Sequence, residues 1–149
     1  MTLTREGDRS RAFSRQDKNA GRAPIPAEVD FVVGQVVNAA FQVHSRLGPG
    51  LLESVYEVCL VHELTKAGLR VERQVVLPVI YEDIRLDAGL RIDAVVEECV
   101  LIELKAVETI LPVHRAQLLT YLKLSAHRLG LLINFNVPVI KDGIVRMVL

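Results

Sequence analysis

The spacing of the apolar residues changes once along this chain, and that change limits the possible folds more than any other feature of the sequence. From Ala27 the apolar residues recur every three or four positions, which is the spacing of one helix face. The pattern predicts a helix from Ala27 that Gly48 ends, and a second helix from about Leu51 to Ala67. After Gly68 the helical spacing stops and a strand pattern begins, so two helices precede the sheet.

The chain from Leu69 onward is rich in Val, Leu and Ile, which favour strands. The predicted strands are 69–81, 90–96, 100–107 and 129–135. Pro78 indicates an edge strand or a bulge, because proline cannot donate a ladder hydrogen bond. The run at 129–135 is apolar enough to predict a buried position in the middle of a sheet.

A third helix is predicted from Pro112, which suits a first helical turn, to about Ala126. Residues 137–149 are predicted to form a final strand pair that turns at Lys141-Asp142-Gly143. The resulting order is two helices, three strands, a helix, a strand and a strand pair. This order predicts an α/β fold in which helices flank a mixed β-sheet.

The first 24 residues differ from the rest of the chain in their composition. Basic residues outnumber acidic ones there, and large apolar residues are rare. Such a segment buries too little apolar surface to offset the entropy of ordering it. We therefore predict a disordered basic tail over residues 1–24 and one domain over 25–149, a length that suits a single hydrophobic core.

Composition argues against several classes of function. Lys and Arg total 18, as do Asp and Glu, so the chain has no net charge to bind DNA tightly and non-specifically. Aromatic residues make up 5% and Trp is absent, which disfavours base-stacking platforms. No apolar run approaches the roughly 18 residues of a membrane span. The spacing of Cys59 and Cys99 suggests neither a disulfide framework nor a metal site, so we expect a cytoplasmic protein with reduced thiols.

The charged residues best suited to catalysis interrupt two apolar strands. Side chains alternate along a strand, so Glu103 and Lys105 share one face. If a three-residue connection, 97–99, joins the two strands, Asp93 lies directly opposite Glu103. Side chains paired in this way start about 4.5–5.5 Å apart at Cβ. The two carboxylates would therefore repel each other unless a cation lies between them.

Carboxylate oxygens at this position suit Mg²⁺ or Mn²⁺. The ammonium group of Lys105 would point into the same space, where it can orient an attacking water and offset charge on a phosphate. A half-buried strand with a solvated, charged outer face would show the same residues. The strands therefore indicate either a metal site at Asp93 and Glu103 beside Lys105, or a surface ladder of charges.

The predicted second and third helices contribute further candidates. Glu53 shares an apolar stripe with Tyr56, where burying an acid costs free energy unless it is paired. Alternatively, Glu53 lies in the first turn of the helix, where a negative charge interacts favourably with the helix dipole. Tyr56 either positions Glu53 or fills the core. Gln117 and Tyr121 are four residues apart and share a helix face. His44 lies on the apolar side of the first helix, which favours a core or helix-terminal role over metal binding.

Several segments in order resemble one family. Gly50-Leu51-Leu52-Glu53-Ser54-Val55-Tyr56 matches the signature of the GxxExxY family. The other matching segments are Leu47–Gly50, Glu103–Val107, Ala116–Tyr121 and Asn134–Pro138. The resemblance covers about Val29 to Val148. That family is classed within the PD-(D/E)XK nuclease superfamily, so the resemblance implies a restriction-endonuclease-like core.

The resemblance also implies roles for the strand residues. Asp93 matches the first acid of the superfamily, and Glu103-x-Lys105 matches its (D/E)-x-K element. Asp93 and Glu103 would then bind Mg²⁺ or Mn²⁺, with the carbonyl oxygen of Leu104 completing the shell. Lys105 would position or activate the attacking water.

The helix residues receive supporting roles by the same resemblance. Glu53 is similar to the acid on the first core helix of the superfamily. Gln117 and Tyr121 resemble an auxiliary Gln-x-x-x-Tyr motif, which lies beside the catalytic Lys and the DNA backbone in one exonuclease-rich branch.

These observations predict a Mg²⁺-dependent nuclease that hydrolyses phosphodiester bonds in DNA or RNA, with DNA favoured and a homodimer allowed. The alternative is a non-catalytic nucleic-acid-binding or protein-interaction module that keeps the nuclease fold. Zero net charge and small size favour the module, whereas the intact Asp93, Glu103 and Lys105 favour the enzyme. A third alternative is the toxin or effector half of a two-protein system.

Overall fold

The computed structural model describes residues 23–149, except for the side chain of Ala88. The predicted tail therefore lies outside the described residues apart from its last two positions, and both the tail and the domain boundary stay predictions. The helices are α1 (Ala27–Leu47), α2 (Glu53–Lys66) and α3 (Pro112–Ser125), with a 3-10 helix at Ile140–Gly143. The strands are β1 (Val71–Tyr81), β2 (Ile84–Val96), β3 (Val100–Lys105), β4 (Leu129–Asn134) and β5 (Ile144–Val148).

The five strands form one sheet in the order β1-β2-β3-β4-β5. Neighbouring strands are antiparallel except β3 and β4, which are parallel and are joined through α3. One hydrophobic cluster packs α1 and α2 against one sheet face, and a second packs α3 against the other. The predicted α/β fold with a mixed sheet flanked by helices is confirmed.

Several local predictions are also confirmed. Gly48 follows α1 with a φ of 65°, a left-handed value that glycine adopts without strain. Pro112 occupies the first turn of α3. Pro78 lies in β1, an edge strand, at a register shift between Leu77 and Val79. Every residue of β4 is buried, as its continuous apolar run predicts.

The predicted strand pair at residues 137–149 is wrong. The segment contains the 3-10 helix and then β5, which pairs with β4 instead of with a second strand of its own. Pro138 has no N–H to donate to a ladder. Gly143 does not form a hairpin turn. It allows the backbone to pass close to Asn134, because a Cβ at position 143 would collide with the carbonyl oxygen of Asn134.

Strand β2 begins six residues earlier than the predicted start at Leu90. Its first part pairs with β1 in a ribbon that turns at Glu82 and Asp83 and does not pair with β3. Ile80, Tyr81 and several other apolar side chains of this ribbon are exposed. Because these apolar side chains are exposed and not buried on one side, no hydrophobic alternation marks the start of β2 in the sequence. Within residues 23–149 no helix is both long and apolar enough to cross a membrane.

Candidate active site

The loop between α1 and α2 is fixed by Tyr56, which is fully buried. Its ring stacks on Phe135 with centroids 4.5 Å apart. Its hydroxyl donates to the carbonyl oxygen of Gly48 at 2.6 Å and accepts from the N–H of Leu51 at 3.1 Å. Tyr56 therefore anchors the loop to the core and sets where α2 begins. Glu53, the first residue of α2, is positioned by this anchor through the helix.

Strands β2 and β3 separate at the candidate site. Val96 pairs with Val100, so the three-residue connection is confirmed. The ladder continues to the pair Ala94–Ile102 and stops there, although the register carried one step further would bring Asp93 opposite Glu103. The space where the ladder ends is filled by the side chains of these two acids.

The alternation of side chains along β2 is also broken at Asp93. Val95 and Ile92 both pack in the α3 cluster, although residues three apart on a regular strand point to opposite faces. Ala94 packs with α1 and α2 instead. Asp93 lies at this change of face, so its side chain is directed toward β3.

The carboxylates of Asp93 and Glu103 are held by backbone groups of each other's strand. Oδ2 of Asp93 accepts from the N–H of Leu104 at 2.8 Å. Oε1 of Glu103 accepts from the N–H of Asp93 at 3.3 Å. Side-chain hydrogen bonds thus replace the ladder at this point. The predicted convergence of Asp93 and Glu103 is present, and it comes from a break in the sheet that alternation alone does not predict.

Burial makes these acids difficult to ionise together. Burial first, and the negative charge of Asp93 second, raise the pKa of Glu103 to about 8 from an ordinary 4.5, against the lowering effects of the Asp93 N–H and Lys105. Burial also raises the pKa of Asp93, and the nearby Glu57 adds to this effect. A nearby cation would favour the ionised form of both groups.

Lys105 lies at the end of β3 and contacts α3. Its Nζ is 3.3 Å from Oε1 of Gln117, and Nε2 of Gln117 donates to the hydroxyl of Tyr121 at 2.8 Å. Burial and the charge of Glu103 raise the pKa of Tyr121, so this hydroxyl remains protonated at neutral pH. The chain Tyr121–Gln117–Lys105 holds the ammonium group near enough to Asp93 and Glu103 to oppose the rise of their pKa values.

Glu53 approaches the same centre from α2. Burial raises its pKa first and the charge of Asp93 next, and Lys105 opposes them. Glu53 and Asp93 line an open cleft of about 460 Å³ together with Leu104 and two residues that the sequence analysis does not identify, Glu57 and Gln74. Of the six predicted catalytic residues, Glu53 and Asp93 line this cleft. Glu103 shares a hydrogen bond with Asp93, and the other three form the chain Tyr121–Gln117–Lys105. The carbonyl oxygen of Leu104 stays a predicted ligand.

Glu57 and Gln74 extend the site beyond the predicted residues. Glu57 is buried, and its carboxylate accepts from Gln74 and from Arg73, the latter at 3.2 Å. One sequence signal could have revealed Glu57, because it lies one helical turn after Glu53 and within the apolar stripe. Nothing in the sequence marks Gln74, whose role depends on a backbone conformation. His44 is buried in α1, where its Nε2 is 2.7 Å from the carbonyl oxygen of Val137, as a core His would be.

The donor set at the strand end fits a hard divalent cation. Among residues 23–149 no group of three or more His, Cys, Asp or Glu side chains is arranged to hold a metal ion. Asp93 and Glu103 form a pair, and Mg²⁺ is commonly held by one or two carboxylates with waters and substrate oxygens in the remaining positions. Burial is the largest cause of the raised pKa of both acids, and a bound cation would favour their ionised forms.

Comparison with known protein families identifies the superfamily of this chain. The model of the PD-(D/E)XK nuclease superfamily matches residues 30–147, and the chain belongs to this superfamily. The matched range runs from α1 into β5 and includes every residue of the candidate site. No match was found among curated proteins or among solved structures.

Proposed function

We propose that this protein is a divalent-metal-dependent nuclease that hydrolyses phosphodiester bonds in DNA or RNA. The observation that carries the proposal is the position of Asp93 and Glu103 where β2 and β3 separate, with Lys105 near enough to favour the ionised form of both acids. Membership of the PD-(D/E)XK nuclease superfamily supports a nucleic-acid substrate and a divalent metal. We further propose that the chain is a GxxExxY protein, with Gly50, Glu53 and Tyr56 as the named positions.

Each residue has a distinct part in the proposed reaction. Asp93 and Glu103 would hold Mg²⁺ or Mn²⁺, completed by the carbonyl oxygen of Leu104. When bound, the metal would supply Lewis-acid stabilisation of charge on the phosphate. Lys105 would orient the attacking water and offset the developing negative charge. Gln117 accepts from Lys105 and so keeps its ammonium group in place.

The remaining residues support this centre. Tyr121 holds Gln117 from the next turn of α3, and Glu53 adds negative charge on the α2 side. The preference for DNA over RNA, the homodimer and the cytoplasmic location stay predictions of the sequence. The alternative of a non-catalytic binding module is an outcome of the test below.

The test is cleavage by the purified protein of single- and double-stranded DNA and RNA, with Mg²⁺, with Mn²⁺ and with a chelator. Wild-type protein should cleave at least one substrate with metal and none with chelator. Asp93→Asn should lose cleavage and bind Mn²⁺ more weakly in calorimetry. It should also slightly stabilise the metal-free protein, because one of two repelling charges is removed.

Asp87→Asn is the matched control, because Asp87 is an exposed acid on the same strand. It should leave cleavage and metal binding as in the wild type. Equal Mn²⁺ affinity in wild type and Asp93→Asn would show that Asp93 is not a ligand. Nucleic-acid binding that chelator does not change, with no cleavage under any metal, would favour the binding module.

A further inference from the structure

Gln74 has a backbone conformation that its residue type does not favour. Its φ is 51°, in the left-handed region that costs a non-glycine residue free energy. Gln74 lies in β1 at the position opposite Asp93, and the pairs on either side are Arg73–Ala94 and Val75–Ile92. The Gln74–Asp93 pair itself is missing from the ladder. Strained residues of this kind persist where the surrounding structure holds them, and they concentrate at functional sites.

The irregularity at Gln74 matches the irregularity at Asp93. Val75 packs with α3, whereas Val71, four residues earlier, packs with α1 and α2, so β1 also changes face between them. The register between β1 and β2 is nevertheless the same before and after the break. The left-handed residue therefore lets β1 turn over together with β2, which directs Asp93 toward β3.

The side chain of Gln74 is anchored at the same point. Its amide Nε2 donates to Glu57, which is buried in α2 and also accepts from Arg73. Gln74, Glu57 and Asp93 also line the same cleft. Glycine would adopt the same φ without strain, so the presence of Gln indicates that its amide contributes something that glycine cannot.

We propose that Gln74 is a positioning residue, which ties the buried Glu57 of α2 to the β1–β2 break and holds the Asp93 carboxylate against the N–H of Leu104. Asp93 is then presented to the metal in one orientation. This inference rests on the proposed function for its consequence in metal binding, but the positioning of Asp93 is a property of the metal-free protein.

The experiment compares Gln74→Gly with a matched control, Glu82→Gly. Both residues have left-handed φ values, 51° and 54°, but Glu82 lies at the exposed turn of the ribbon. Hydrogen exchange of the Leu104 amide in metal-free protein reports the Asp93 contact directly. This amide should exchange on the order of tenfold faster in Gln74→Gly, the change expected for a weakened charged hydrogen bond, and at the wild-type rate in Glu82→Gly.

Calorimetric titration with Mn²⁺ supplies the second readout. Gln74→Gly should bind Mn²⁺ roughly 10–100-fold more weakly, as is typical when a group that orients a metal ligand is lost. Glu82→Gly should bind as the wild type does. If Gln74→Gly does not fold, Gln74→Asn replaces it, because Asn tolerates the left-handed conformation while its amide is one methylene shorter.

The outcomes separate this inference from the proposed function. Unchanged Leu104 exchange in Gln74→Gly would overturn the positioning role, and so would equal acceleration in both glycine variants. Faster exchange with unchanged Mn²⁺ affinity would overturn the metal-presenting role. A wild-type protein that binds no Mn²⁺ would overturn the proposed function, and the exchange comparison would still decide whether Gln74 positions Asp93.

Discussion

The two edges of β3 differ in how they are used. Toward β4, the ladder is complete from Val100–Leu129 to Lys105–Asn134. Toward β2, only three pairs form, and the ladder ends at Ala94–Ile102. The first edge builds the buried middle of the sheet, and the second leaves backbone groups for the carboxylates of the candidate site. A single strand of six residues thus serves the core on one side and supports the site on the other.

This contrast between the closed edge, toward β4, and the open edge, toward β2, predicts which substitutions should stabilise and which should destabilise the protein. A carboxylate at the open edge is buried near another carboxylate, so removing its charge should help folding. A polar group at the closed edge satisfies backbone partners, so removing it should harm folding. Two substitutions of opposite expected sign test this comparison.

Glu103→Gln should give the larger effect, and its size should depend on pH. The carboxyl of Glu103 has a pKa of about 8 in the folded protein and an ordinary value of 4.5 otherwise. Below about pH 4.5 both states hold the proton, and the group contributes nothing to the difference. Between pH 4.5 and 8 the unfolded chain releases its proton first, so the free energy of unfolding falls as pH rises, by at most about 1.4 kcal/mol per pH unit.

The measurement is the free energy of unfolding of the metal-free protein from pH 4 to 9. Glu103→Gln should be increasingly more stable than the wild type up to about pH 8, with a constant advantage above it. Glu82→Gln, which removes an exposed carboxylate at the ribbon turn, is the control. Parallel curves for wild type and Glu103→Gln would contradict the buried-charge account of the open edge.

Asn134→Ala should have the smaller effect and the opposite sign. Asn134 is buried at the end of β4, where its Oδ1 accepts from the N–H of Val107 at 3.1 Å and its Nδ2 donates to the carbonyl oxygen of Val107 at 2.9 Å. Alanine leaves both groups without these partners, which should cost about 1–3 kcal/mol. Urea unfolding measures this loss, with the exposed Asn38→Ala of α1 as control. Equal midpoints for the two variants would show that the closed edge does not depend on Asn134.

Much of this architecture could be predicted because it repeats. The helical stripes and the buried run of β4 follow from the spacing of apolar residues. The register of β2 with β3 follows from a three-residue connection at 97–99, which places Asp93 opposite Glu103. The part of β2 before Leu90 could not be predicted, because its apolar side chains are exposed and form no one-sided pattern. The prediction of a terminal strand pair was wrong because Gly143 is typical of a hairpin turn. In the structure, the missing Cβ of Gly143 instead leaves room for the carbonyl oxygen of Asn134.

The finer arrangement of the site depends on departures from regularity. Alternation places Glu103 and Lys105 on one face, but it does not reveal that β2 changes face at Asp93. Gln74 has an ordinary residue type in an unusual conformation, so its place in the site becomes visible only in the structure. Glu57 could be suspected from its spacing to Glu53, but its partners Arg73 and Gln74 come from another element.

The cleavage rate of a Lys105 variant is the strongest test of the proposed nuclease activity. Lys105→Ala keeps both carboxylates, so metal binding should survive, and nucleic-acid affinity should change little because one phosphate contact is a small part of the total. Single-turnover cleavage should nevertheless slow by on the order of 10²–10³-fold, the usual cost of losing one group that stabilises transition-state charge. Lys123→Ala, an exposed lysine of α3, should cleave at the wild-type rate. If Lys105→Ala also cleaves at the wild-type rate, the activity does not come from this site and the proposed mechanism is wrong.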